Sequence, residues 1–267
     1  MFPFLNIFGA RIPSYGLCIV IAIVLVCILS YRRIRRDENI LPQDAPFEYL
    51  LLLVPVCMFS FLIGGKLLYV MVSHKMSYLA EKIGELDFSF LGGPGLVFYG
   101  GLIGGLLGTF GVAKLVKVDL IGLERDIVPF IPFGHAIGRI GCLLGGCCYG
   151  MEYSGPLAVY YENSLVGLSP DVGYFPVQPL ESVLDLIIMG VLLAYSKKKR
   201  RRGDVLFLYL LLYAVMRFTT ELFRGDAYRG VFSGISTSQW ISIGLAVIFV
   251  LRLIFMKVRM KKLEDNR

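Results

Sequence analysis

The stretch Gly138-Arg139-Ile140-Gly141-Cys142-Leu143-Leu144-Gly145-Gly146-Cys147-Cys148-Tyr149-Gly150 decides how this chain is read. It places one arginine, three cysteines and five glycines in a segment with long apolar runs around it. A charge at bilayer depth is costly, so an intramembrane arginine marks function by default. Glycines at such spacing let backbones approach closely, or let a ligand reach the main chain.

Working outward, 56% of the 267 residues are hydrophobic, well above the level of a soluble domain. Several runs reach the roughly 20 apolar residues that a bilayer core requires. The fold class expected is an all-α polytopic membrane protein of about seven transmembrane helices. It forms a single domain over residues 1–267, with a small outer-side subdomain inserted at about 145–177. The formal net charge is +7. Basic residues cluster at Arg32, Arg33, Arg35 and Arg36, at Lys197 to Arg202, and at Lys257 to Lys262, each after an apolar run. Such clusters mark cytoplasmic ends and touch anionic lipid. They lack interleaved aromatics, so nucleic acid is not an expected partner. The first apolar run has no small-residue cleavage site and its basic cluster follows it, so it reads as a retained helix with an outer N-terminus.

The spans expected are roughly 14–30, 46–72, 96–116, 123–144, 179–195, 204–223 and 239–256. Pro129 and Pro132 should kink the fourth. Gly100, Gly101, Gly104, Gly105 and Gly108 make overlapping small-xxx-small pairs on the third, which favours tight helix packing. A short interfacial helix is expected within 73–87, and a short strand at Leu157 to Tyr161. Trp240 sits where an interfacial anchor belongs. Alternating the spans puts every basic cluster and the C-terminus inside.

On the fourth span His135, Arg139, Cys142 and Gly146 recur at helical spacing and share a face. That face is either a polar packing patch or an anion site with arginine as a bidentate phosphate ligand. Arg217, Glu221 and Arg224 form a similar stripe on the sixth span. It reads as an intramembrane ion pair or, with one positive charge in excess, as a place for an anionic lipid headgroup. Glu181 and Asp185 are candidate partners for the arginines. Cys18, Cys27 and Cys57 read as small apolar residues. Cys142, Cys147 and Cys148 keep three readings: packing, a disulfide near an oxidising face, or zinc with His135, although their spacing matches no standard zinc motif.

Six segments resemble, in order, the motifs of the prolipoprotein diacylglyceryl transferase family. Arg11 to Gly16 is similar to its Tyr-Gly first-helix motif. Val97 to Gly104 is similar to F-H-G-G-L-I-G, and Gly138 to Gly150 to the arginine-glycine signature. Pro176 to Glu181 resembles P-S-Q-L-Y-E, Arg217 to Arg224 resembles R-F-x-x-E-F-F-R, and Ser238 to Ser242 resembles the motif opening the last helix. The resemblance implies transfer of a diacylglyceryl group from phosphatidylglycerol to the lipobox cysteine of a preprolipoprotein in the bacterial inner membrane. Membrane lipid is then a partner, and no metal or cofactor is implied. Tyr99, His135, Arg217 and Glu221 are the catalytic candidates. Arg139, Tyr15, Gly100, Gly101, Cys142, Gly150, Glu181 and Arg224 are the substrate-binding ones. Three positions depart from the family pattern: Tyr99 replaces its histidine, Cys142 its asparagine and Cys147 its acidic residue. His135 is therefore the expected proton acceptor, with Tyr99 a hydrogen-bond donor to the lipid. Two alternatives stand beside this: a paralogous transferase with a non-lipoprotein acceptor, and a non-catalytic lipid-binding or transport protein.

Overall fold

The computed structural model describes residues 2–7, 9–35, 46–73, 98–162, 164, 166–198, 201–225, 231–232 and 234–265. The interfacial helix expected within 73–87 lies outside them, apart from Ser73. In chain order the elements begin with a hairpin of β1 (Phe4–Ile7) and β2 (Ala10–Pro13), followed by α1 (Ser14–Ile34), α2 (Pro46–Ser73) and α3 (Phe98–Leu115). Next come α4 (Glu124–Ile127), a 3₁₀ turn at Val128–Phe130, and α5 (Ile131–Gly145). The strands β3 (Val159–Tyr160) and β4 (Gly173–Tyr174) precede α6 (Val177–Ser196) and α7 (Asp204–Glu221). A last hairpin of β5 (Val231–Phe232) and β6 (Ile235–Ser236) leads into α8 (Thr237–Asp265).

Among the described residues, the segments long and apolar enough to cross a bilayer are Ser14–Ile34, Leu52–Met71, Glu124–Gly145, Val177–Ser196 and Thr237–Val258. The other two expected spans are helices as well. The third is α3, whose apolar part, Ile103–Leu115, is shorter. The sixth is α7, whose 18 residues carry Asp204, Arg217 and Glu221.

The chain forms two compact units, Met1–Ser30 with Glu124–Arg267, and Tyr31–Leu123. In the second unit α2 and α3 pack through their glycines. A Cβ added at Gly100 would run into the Gly64 carbonyl and Leu68, and one at Gly104 into the Ser60 carbonyl. Backbone meets backbone where Gly64 of α2 faces Gly100 and Gly104 of α3, the packing expected of small-xxx-small repeats.

In the first unit a stripe of three glycines on α5 receives α1. Gly134 faces Val26, Gly138 faces Ile19, and Gly141 faces Cys18 and Tyr15. The proline pair acts as expected: Pro129 sits in the 3₁₀ turn and Pro132 at the start of α5, where a missing N–H is tolerated. Val128, Ile188, Leu192, Val205, Tyr209 and Met216 form the apolar core that joins this turn to α6 and α7. At the end of the bundle where α4 begins, polar side chains satisfy helix termini in trans. Glu124 accepts the backbone N–H groups of Gly203 and Leu206 at the start of α7. Arg125 donates to the Ser196 carbonyl at the end of α6, at 2.8 Å. Arg252 of α8 lies over the Phe207 ring and pairs with Asp204 at 2.7 Å.

Candidate active site

Glu181 is the hub of the site. Its residue is wholly buried, one turn into α6. Arg217 donates to its Oε1 at 2.6 Å, and Thr220 donates to the same oxygen at 3.0 Å. Arg139 Nε lies 2.9 Å from Oε2, and Arg224 Nη1 lies 3.7 Å from it. Oε2 makes no hydrogen bond of good geometry, so its two contacts are ionic. Arg217 also reaches Glu221 at 2.5 Å and Ser238 of α8 at 3.3 Å. Three guanidinium groups thus surround the carboxylates of Glu181 and Glu221, with a third carboxylate, Asp185, buried one turn further along α6. Buried carboxylates that gather several cations gain Coulomb energy that one ion pair would lose to desolvation. Ser182 fastens α6 to α5 beside the cluster, donating to the Ala136 carbonyl at 3.1 Å.

The three arginines differ in access. The side chain of Arg139 is 20% exposed, against 7% for Arg217 and 3% for Arg224. Arg139 is thus the most exposed of the three.

Arg224 is placed by main chain rather than by helix, since α7 ends at Glu221. The segment 149–153 runs between two others. Met151 N–H donates to the Phe223 carbonyl, Gly225 N–H to Tyr149, Phe175 N–H to Met151 and Tyr153 N–H to Gly173. Gly150 pairs with Arg224 in an isolated bridge. A Cβ at Gly150 would strike the Phe175 carbonyl. Its role is to let three backbones meet, and it acts on Arg224 through that contact.

The three cysteines converge at the end of α5. Gly146, at φ +66°, ends the helix in the left-handed conformation. Its N–H donates to the Leu143 carbonyl, and the Cys147 N–H donates to the Cys142 carbonyl. This paired closure carries the chain back over the last turn and sets Cys147 above Cys142. Cys148 then adopts φ +57°, a conformation uncommon outside glycine, and all three sulfur atoms lie within 4.8 Å of one another. Gln178, fully buried, donates to the Cys147 carbonyl at 2.8 Å and accepts from Tyr161. Ser164 donates to the Gly146 carbonyl at 2.8 Å. Hydrogen bonds from Cys142 and Cys147, together with the Arg224 guanidinium, hold the Cys148 thiol below its usual range.

Tyr15, His135 and Asp185 lie close enough to the cluster to feel the charge of Arg139. His135 is exposed and its Nδ1 lies 3.2 Å from the Tyr209 hydroxyl, with Tyr213 beside its ring. It is not part of the thiol group, so zinc held jointly with His135 does not match the geometry. Tyr15, on α1, is half-exposed beside Gly141. Asp185 is buried one turn beyond Glu181, and its Oδ1 has no hydrogen-bond partner. Gly100 and Gly101 lie in the α2–α3 unit, where Gly101 faces the Phe61 ring. Tyr99 stands in the first turn of α3. Sequence reasoning missed Thr220, Ser238 and Gln178 as supports. Thr220 had a usable signal, lying three residues from Arg217 on the charged stripe.

Fold and site together define a helical membrane protein with a buried cationic site. The chain belongs to the prolipoprotein diacylglyceryl transferase family, whose sequence profile matches residues 3–255. It is 33% identical over 244 residues to phosphatidylglycerol–prolipoprotein diacylglyceryl transferase 2 of Clostridium perfringens, covering 91% of this chain and 90% of that protein. The phosphatidylglycerol–prolipoprotein diacylglyceryl transferase of Clostridium tetani is 34% identical over 245 residues, covering 91% and 92%. That of Bordetella bronchiseptica is 31% identical over 246 residues, covering 91% and 90%.

Proposed function

We propose that this chain, acting as one transferase over its whole length, moves the diacylglyceryl group of phosphatidylglycerol onto the lipobox cysteine of a preprolipoprotein. One observation supports it above the others: in a member of this family, three arginines gather on Glu181, and Arg139 is the most exposed of them. The bond that breaks joins the glyceryl carbon to a phosphate oxygen. Negative charge grows on that phosphate, and a guanidinium in a water-poor site stabilises it far better than in bulk water. Arg139 takes that role. Arg217 and Arg224, tied to Glu181 and Glu221, fix its position and supply the surrounding field.

The acceptor thiol must lose its proton. Where His135 Nδ1–H donates to Tyr209, Nε2 remains a proton acceptor. Seven residues of helix separate it from Cys142, about 10 Å of rise, so the proton reaches it through water. Tyr99 is assigned a hydrogen bond to the lipid, and Tyr15 and Gly150 are assigned to the substrate-binding region.

In the membrane, the proposal puts the N-terminus and the 145–177 segment outside, and Lys197 to Arg202 and the C-terminus in the cytoplasm of a bacterial inner membrane, with seven crossings. Cys142 and Cys147, at the family's asparagine and acidic positions, favour a second reading: the same donor with a different acceptor. Complementation tests the choice. The gene should sustain growth and lipoprotein maturation in a bacterium depleted of its own diacylglyceryl transferase. Failure to mature any lipoprotein, by a protein that is expressed and inserted, argues for the second reading.

A further inference from the structure

The transfer reading leaves the three-cysteine cluster without a task. Its construction is specific. The helix closure at Gly146 stacks Cys147 on Cys142, and Gln178 and Ser164 pin the carbonyls of that turn. Cys148 pays for its place with a left-handed backbone, an outlier of the kind that collects at functional sites. Three sulfur atoms lie within 4.8 Å of one another, beside Arg224 and close to the Glu181 cluster. Tetrahedral zinc–thiolate bonds of about 2.3 Å set sulfurs roughly 3.8 Å apart, so the cluster closes on an ion with shifts of about 1 Å.

The geometry points to Cys142, Cys147 and Cys148 as a three-thiolate zinc site whose fourth position takes the sulfur of the acceptor cysteine. This rests on the transfer reading above and adds the device that activates the acceptor. Soft thiolates select zinc over hard cations. Three protein ligands with one open position is the arrangement of a reactive zinc centre, in contrast to the closed structural site with four. A thiol that binds the ion is deprotonated outright, so a weak base suffices nearby. Four thiolates on Zn²⁺ carry two excess negative charges, and the Arg224 guanidinium lies beside them. In the step itself the zinc-bound sulfur forms the S–C bond with the glyceryl carbon while the C–O bond to phosphate breaks. The C–O electron pair leaves with glycerol phosphate. The thiol proton, released on coordination, passes to water and then to the phosphate or His135. Nothing is oxidised or reduced. The thioether product is a poorer ligand than the thiolate and departs.

The test uses the full chain in detergent, purified under reductant, stripped with chelator and titrated with Co²⁺. One Co²⁺ per chain should bind with thiolate charge-transfer absorption. Cys142→Ser, Cys147→Ser and Cys148→Ser should each remove the band while keeping the wild-type melting temperature, and Cys27→Ser and Cys57→Ser should keep it. A lipobox peptide should perturb the tetrahedral cobalt spectrum, and its Cys→Ser version should not. Transfer should stop in the stripped protein and return with Zn²⁺. No cobalt band, a band that survives Cys142→Ser, a spectrum indifferent to the peptide, or a disulfide recovered under reductant overturns the site. Undiminished transfer by stripped enzyme overturns the inference and leaves the transferase intact. Cobalt and peptide binding without transfer under any condition overturns the transferase reading and the metal's catalytic role, while the thiolate site stands.

Discussion

Arg217 donates to Glu181 across 2.6 Å, and both side chains are almost wholly buried. The pair joins α7 to α6, and it converts two lone charges into the floor of a cationic site.

Removing the Glu181 carboxylate leaves Arg139, Arg217 and Arg224 facing one another with Glu221 alone. Breaking a buried pair by deleting one partner costs about 3–5 kcal/mol. Glu181→Ala should lower the melting temperature in detergent by many degrees and abolish transfer. Glu181→Gln keeps the volume and the hydrogen bond from Thr220, so it should melt between the two. A Glu181→Gln protein with wild-type melting and turnover would show that the hub is ornamental.

Arg139 should be the arginine whose shape matters most to the donor. Arg139→Lys keeps the charge and loses the planar fork, so turnover should fall by roughly 10²-fold, the scale of losing one charge-stabilising donor. The melting temperature should scarcely move, because Arg139 is the most exposed of the three. Wild-type turnover by a folded Arg139→Ala protein would contradict the phosphate assignment.

His135 and Tyr99 separate two proton paths. If His135 accepts the proton, His135→Gln should lower the rate and remove the acidic limb of the pH–rate profile. Tyr99→Phe should raise KM for the lipid and leave that limb in place. An unchanged profile and rate in His135→Gln would remove the imidazole from the path.

The Cys148 thiol is held low by its thiol neighbours and Arg224. A depressed pKa means that thiolate persists at a pH where ordinary thiols are protonated. Alkylation of metal-free protein at mildly acidic pH should therefore mark Cys148 first. In Arg224→Gln the same labelling should require a higher pH. Equal labelling of the two proteins across the range would contradict the pairing.

Much of this was legible because bilayer physics writes itself into sequence. The helices fall where apolar runs predict them, and the α3 glycines pack as their four-residue spacing implies. The basic residues Arg32 and Arg33 continue α1 instead of stopping it, since long cationic stems can run back along a helix. Glu181 was visible as a partner for the arginines, but its rank as hub was not. Four contacts converge on it from α5, α7 and the residues just past α7, and only tertiary structure brings those together. The pairings of β1 with β2 and of β5 with β6 went unread, although Gly9 and Gly234, both at positive φ, were available as turn signals. The thiol cluster was hidden for a different reason. Its spacing fits no metal motif because a left-handed closure, not a linear pattern, brings the sulfurs together.

The most direct measurement reconstitutes the full chain in vesicles of phosphatidylglycerol with a lipobox peptide and follows the peptide by mass spectrometry. Diacylglyceryl transfer should give a peptide heavier by one diacylglyceryl group on its cysteine sulfur, released glycerol phosphate in equal amount, and no product in phosphatidylcholine vesicles or with Arg139→Ala. An unmodified peptide beside folded, lipid-embedded protein in phosphatidylglycerol, with zinc present, would contradict it.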